Sequence, residues 1–116
     1  MPPANPLHLP RSRDAIGTPE AAAILKREIE ALPAASLPLQ ALLRRSAYAL
    51  DEFGITVLAI DGNANPIRIR IGVFFQGLDP GCSCADDPSP VEPVPEYGEL
   101  CVEIDRATAQ ARFRLP

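Results

Sequence analysis

Along residues 18–53 the apolar positions recur every three or four residues, and after Gly54 every second residue. Leu25, Ile29 and Leu32 form one stripe at i, i+4 and i+7, with Lys26, Arg27, Glu28 and Glu30 mostly outside it. This spacing predicts an amphipathic helix over 18–32. Thr18 is its expected cap, Pro19 has the φ that a first helical residue needs, and Pro33 stops it. Leu39, Leu42, Leu43, Leu50 and Phe53 predict a second helix, opened by Pro38 and ended by Gly54. The short link between the two predicts an antiparallel helix hairpin.

Four strands are expected next. The first covers 55–60 and turns at Asp61, Gly62 and Asn63. The second covers 67–75, where Ile67, Ile69, Ile71, Val73 and Phe75 alternate with Arg68, Arg70, Gly72 and Phe74. The third covers 99–105, with Leu100, Val102 and Ile104 on one face. The fourth covers 109–115, with Ala109, Ala111, Phe113 and Leu115 inward. The expected fold is α+β: two N-terminal amphipathic helices packed on a four-stranded antiparallel sheet, in the order α-α-β-β-β-β, as a single domain over 18–116. Its predicted core is Leu25, Ile29, Leu32, Leu39, Leu43, Leu50, Phe53, Ile69, Ile71, Val73, Leu100, Val102, Ile104 and Phe113. Residues 1–17, with Pro2, Pro3, Pro6 and Pro10, are expected to form a flexible tail that docks at most through Leu7 and Leu9.

In a meander the third strand lies between the second and the fourth. Its outward residues Glu99, Cys101, Glu103 and Asp105 then run between Arg68 and Arg70 on one side and Arg112 and Arg114 on the other. Each opposite-charge pair across such strands contributes roughly 0.2–1 kcal/mol. The row is either a solvated outer surface or a platform on which the four arginines contact a partner.

Residues 76–98, between the second and third strands, break the pattern. A connection this long inside a small domain is usually functional or disordered. No lysine or arginine occurs between Arg70 and Arg106, and the segment 79–99 holds six acidic residues. The formal charge of the chain is −4; without those six it would be +2. The loop contains Cys82, Cys84, Asp86 and Asp87, followed by a stiff Pro-x-Pro run that includes Glu92 and Glu96.

The three cysteines allow several chemistries. Thiolates of Cys82, Cys84 and Cys101, with Asp86 or Asp87, are a candidate set for a soft or borderline ion such as zinc. The single residue between Cys82 and Cys84 is tighter than the usual ligand spacing. The same thiols offer a strained, reversible disulfide, although acidic neighbours raise a thiol's pKa and reduce its reactivity. They also serve simply as small, semi-buried fillers. An acidic, Pro-rich strip needs none of this to dock on a basic partner; Asp86, Asp87, Glu92 and Glu96 are its expected contacts, alongside Arg68, Arg70, Arg112 and Arg114.

Composition narrows the classes. The acidic balance argues against a nucleic-acid partner. No stretch approaches the roughly 18 apolar residues that span a bilayer, so no membrane association is expected. No secretory signal pattern is recognisable, and a cytoplasmic location is the default. His8 is the one histidine and lies in the expected tail, and the glycines are dispersed, so the common catalytic signatures do not assemble. The sequence therefore points to a small non-catalytic binding or accessory protein that presents its acidic loop and charged sheet face to a protein partner. A homodimer through an open sheet edge is one expected form. The alternative is a thiol-based metal-binding or redox protein.

Overall fold

A computed structural model describes residues 7–78 and 92–116. The chain forms β1 (Leu7–His8), α1 (Pro10–Ala15), α2 (Ala21–Glu30), two short 3-10 turns (Ala34–Ser36 and Leu39–Leu42), β2 (Tyr48–Asp61), β3 (Ile67–Leu78), β4 (Val94–Ile104) and β5 (Gln110–Arg114). The class is α+β, as expected: two helices and one curled antiparallel sheet. The sheet has five strands rather than four, in the order β1-β5-β4-β3-β2.

The core lies between the helices and the inner face of the sheet. Ile67, Ile69, Ile71, Val73 and Phe75 on β3 are buried beside Leu100, Val102 and Ile104 on β4. Leu25 and Ile29 of α2 join the same cluster. Register explains the continuity, because Ile71 opposes Leu100 and Ile69 opposes Val102. Ile55 and Val57 of β2 oppose Val73 and Ile71 on the same side. Leu32, Leu43, Leu50, Phe53 and Phe113 of the predicted core are only partly buried, while Leu9, Leu37, Leu42, Ile55, Ile67 and Phe75 are buried additions to it.

Three expectations are corrected. The second helix is absent; the chain makes a 3-10 turn at Leu39–Leu42 and then enters β2. An irregularity explains the false helical period. Ala49 opposes Gly77 and Phe53 opposes Phe75, so three residues of β2 lie opposite the one residue Gln76. The extra residues break the two-residue period and leave Leu50 and Phe53 at i, i+3 spacing. Residues 7–16 are also not a loose tail. Leu7 and His8 pair with Ala111 and Gln110, and Leu9 is fully buried. Finally, the long connection is shorter than predicted, because β3 runs on to Leu78 and β4 starts at Val94.

Backbone groups that the sheet cannot pair are met by side chains. β2 is an edge strand, and Ile55 points its peptide groups away from β3. Glu30 Oε2 accepts the Ile55 N–H at 2.9 Å, and Lys26 Nζ donates to the Ile55 carbonyl at 3.1 Å. Lys26 and Glu30 are themselves paired at i, i+4. Gln40 covers the start of the same edge, accepting from Ala49 N–H at 2.6 Å and donating to Ala47 C=O at 3.4 Å. On the helical side, Glu28 caps α1 from α2. It accepts from the N–H and hydroxyl of the fully buried Ser12 at 2.8 and 2.6 Å, and from Arg11 N–H at 3.2 Å.

Glu96 corrects a fourth expectation. Expected in an exposed acidic strip, it is 5% exposed and points to the core side of β4. Its two carboxylate oxygens accept the N–H groups of Arg44 and Arg45 at 3.1 and 2.9 Å. The Ser46 hydroxyl is buried without a well-aligned hydrogen bond of its own, and its polarity also favours the carboxylate. Burial pushes the Glu96 carboxyl up, but Ser46 and the N–H groups of Arg45 and Arg44 outweigh it and hold the pKa below the usual glutamate range. Burial of Glu30 is likewise outweighed by Lys26 and the Ile55 N–H.

Because both folded pKa values are lowered, the stabilisation is complete above the ordinary glutamate value of about 4.3 and is lost as pH falls through the folded values. Glu96→Gln, which cannot accept with two oxygens, is expected to lower unfolding free energy by about 1–3 kcal/mol at neutral pH. It should also flatten the loss of stability on acidification. Urea titrations at several pH values measure both; an unchanged midpoint and pH profile would contradict this role.

Candidate functional site: the uncovered face of the sheet

Alternation places two different chemistries on the two faces of β3 and β4. The inner face carries the aliphatic core. The outer face carries Arg68, Arg70, Gly72 and Phe74 on β3, and Tyr97, Glu99, Cys101 and Glu103 on β4. Among the described residues no helix covers this side; Phe74 is 52% exposed and Tyr97 40%.

Register arranges these residues in two columns. Arg68 opposes Glu103, Arg70 opposes Cys101, Gly72 opposes Glu99, and Phe74 opposes Tyr97. β5 adds a third column, with Arg112 opposite Glu103 and Arg114 opposite Cys101. The charged end is centred on Glu103. Its carboxylate lies 3.9 Å from Arg68 Nε and 3.3 Å from Arg114 Nη1. Arg70 Nε lies 3.8 Å from Glu99. These guanidiniums are more than half exposed, and pairs of this kind contribute only about 0.2–1 kcal/mol each. They fix the layout of charge more than they stabilise the fold. Arg112 makes no ion pair among the described residues.

The other end of the face is aromatic. The Phe74 and Tyr97 rings lie 4.8 Å apart at an interplanar angle of 51°. The Tyr97 ring lies across Gly72, with its Oη and Cε1 in the space that a Cβ there would need. Glycine at this position lets the ring lie flat on the strand. Tyr48, 58% exposed, opposes Leu78 at the same end of the sheet.

The predicted site residues fare differently. Arg68, Arg70, Arg112 and Arg114 share the outer face with the half-buried Cys101. Glu92 is exposed just before β4, whereas Glu96 is committed to the backbone of Arg44 and Arg45. Cys82, Cys84, Asp86 and Asp87 lie outside the described residues. Among the described residues no group of three side chains is placed to hold a metal ion. Tyr97 is the important residue that sequence reasoning missed. It alternates in phase with Glu99 and Cys101, but Pro93 and Pro95 made its segment read as loop.

A cleft of about 820 Å³ lies elsewhere, between α1 and α2. Ala15, Ile24 and Ala31 contribute apolar surface, Arg11 and Arg27 charge, and neither cysteine nor histidine lines it. Asp105, whose carboxylate accepts the N–H groups of Ala107 and Thr108 at 2.8 and 2.9 Å, closes the β4–β5 turn. Those bonds lower its pKa.

No helix among the described residues is long and apolar enough to cross a membrane. No family model, curated protein or solved structure matches the chain.

Gly72→Ala is expected to lift the Tyr97 ring from the strand and open the Phe74–Tyr97 contact. The atoms displaced are the far end of an exposed side chain, so the stability cost should stay near the 0.5–1.5 kcal/mol typical of an aromatic pair, roughly. Thermal denaturation of the variant checks this; a loss of several times that size would show that Gly72 has a deeper packing role.

Proposed function

We propose that this chain is a small non-catalytic binding protein that presents the uncovered face of its sheet to a protein partner. The observation that carries the reading is the exposed Phe74–Tyr97 pair beside an ordered array of arginines and glutamates, on a face that no helix covers among the described residues. Protein interfaces are typically built this way, with an aromatic anchor and arginines around it. Asp86, Asp87 and Glu92 are proposed as additional acidic contacts. The overall charge of −4 favours a protein surface over nucleic acid as the partner.

A photo-cross-linking analogue at position 74, expressed in the native cell, is expected to trap a protein. The same analogue at Ala22, exposed on α2, should not. Equal silence at both positions would overturn the reading. Protein purified under reducing conditions is further expected to titrate three free thiols and to carry no stoichiometric metal. A bound metal in molar ratio would move the assignment to thiolate chemistry at Cys82, Cys84 and Cys101.

A further inference from the structure

We infer that the partner of this face is a second copy of the chain, packed face to face about a two-fold axis that runs parallel to the strands between β3 and β4. The inference rests on the reading of the outer face as a protein-binding surface, and it follows from the register.

A two-fold axis in that position exchanges the two columns while keeping each residue at its own height along the strands. β3 of one copy then lies over β4 of the other. Since Arg68 and Glu103 are register partners within a chain, Arg68 of each copy comes to face Glu103 of the other. By the same operation Phe74 faces Tyr97, and Arg70 faces Cys101. Arg68 and Glu103 thus meet their opposites, and each aromatic ring meets an aromatic ring. Glu99 comes to lie over Gly72 and the Tyr97 ring that covers it. Such an isologous contact is self-complementary, as two-fold symmetry requires.

The same face discriminates against other arrangements. An axis running along β4 would set Glu103 over Glu103 and Glu99 over Glu99, a like-charge arrangement that costs several kcal/mol. Aligned sheets pack about 10 Å apart at an angle of roughly 30°, which shifts the ends of the matched columns by about 5 Å, a distance that long arginine and tyrosine side chains can reach across. The area is also adequate. Four strands about 4.8 Å apart, at the 11-residue length of β4 and about 3.3 Å per residue, present on the order of 700 Å². A standard interface uses about 800 Å² per partner.

Pairing through the sheet edge is the competing form of self-association. On β2, Glu30 and Lys26 already occupy the peptide groups of Ile55, and Gln40 those of Ala47 and Ala49. On this strand the exposed stretch around Leu58 and Ile60 is where another strand would add.

Sedimentation equilibrium of the full chain under reducing conditions tests the inference. The wild type is expected to be dimeric. Arg68→Glu and Glu103→Arg should each weaken the dimer at least about tenfold, since each sets like charges opposite one another at two symmetric positions. An equimolar mixture of the two variants should restore it, because every altered residue then meets its complement on the other chain. Rescue in the mixture cannot come from refolding, since each chain keeps its own substitution.

A monomeric wild type would overturn the inference. So would a dimer indifferent to both swaps, or one weakened by both but not restored on mixing. A dimer lost only with Ile60→Lys would assign self-association to the edge and overturn it as well. If the wild type is monomeric but the analogue at position 74 still traps a different protein, the face remains a binding surface and only the identity of its partner fails.

Discussion

The fold depends on one constraint: a backbone N–H removed from water must find an acceptor. The sheet cannot satisfy all of its neighbours, because β2 is a long edge and β5 pairs with only the last four residues of β4. Carboxylates close the deficit. Glu96 reaches from β4 to the N–H groups of Arg44 and Arg45, and so turns the chain from the 3-10 segment into β2. Glu30 does the same for the exposed edge at Ile55, and Glu28 for the start of α1. Each joins segments distant in sequence, and each is an acidic residue whose charge is used internally. The lowered pKa values of Glu96 and Glu30 are the electrostatic counterpart of those hydrogen bonds.

This use of charge leaves the two faces of the sheet unequal. α2 and the 3-10 turns contact the aliphatic side, with α1 packed against α2, and β3 and β4 contribute an unbroken ladder of Ile, Val and Leu. The outer side retains arginines, two glutamates, a half-buried thiol and two rings in tilted contact. Its ion pairs are too exposed to hold the sheet together strongly. Their value lies in order: register places opposite charges in adjacent columns, and adjacent opposite columns are what a two-fold axis needs.

Much of the sheet was legible in the sequence, and for a physical reason. Where a strand is aliphatic on one face and polar on the other, as between Ile67 and Phe75, the two-residue period survives and fixes both the strand and its orientation. The row of Arg68 and Arg70 against Glu103 and Glu99 follows from that alone. The pattern failed where geometry breaks the period. The irregularity between Ala49 and Phe53 made an edge strand read as a helix. Pro93 and Pro95 hid the first residues of β4, and with them the burial of Glu96. Pro95 is tolerated because β5 does not extend to pair with that part of the strand. The short β1 carries too few residues to show any period and is held by Ala111 and Gln110 of β5. In the candidate site, the arginines were visible as an alternation, whereas Tyr97 needed the strand to be found first.

The central claim is that the outer columns of β3 and β4 meet their own copies. An isotope-filtered NOE experiment on a mixture of labelled and unlabelled chains tests it most directly, because only contacts between copies give a signal. The account predicts intermolecular cross-peaks between the Phe74 and Tyr97 rings, with none from the Ile60 methyl groups at the sheet edge. Cross-peaks confined to Leu58 and Ile60, or none at concentrations where the chain is dimeric, would contradict it.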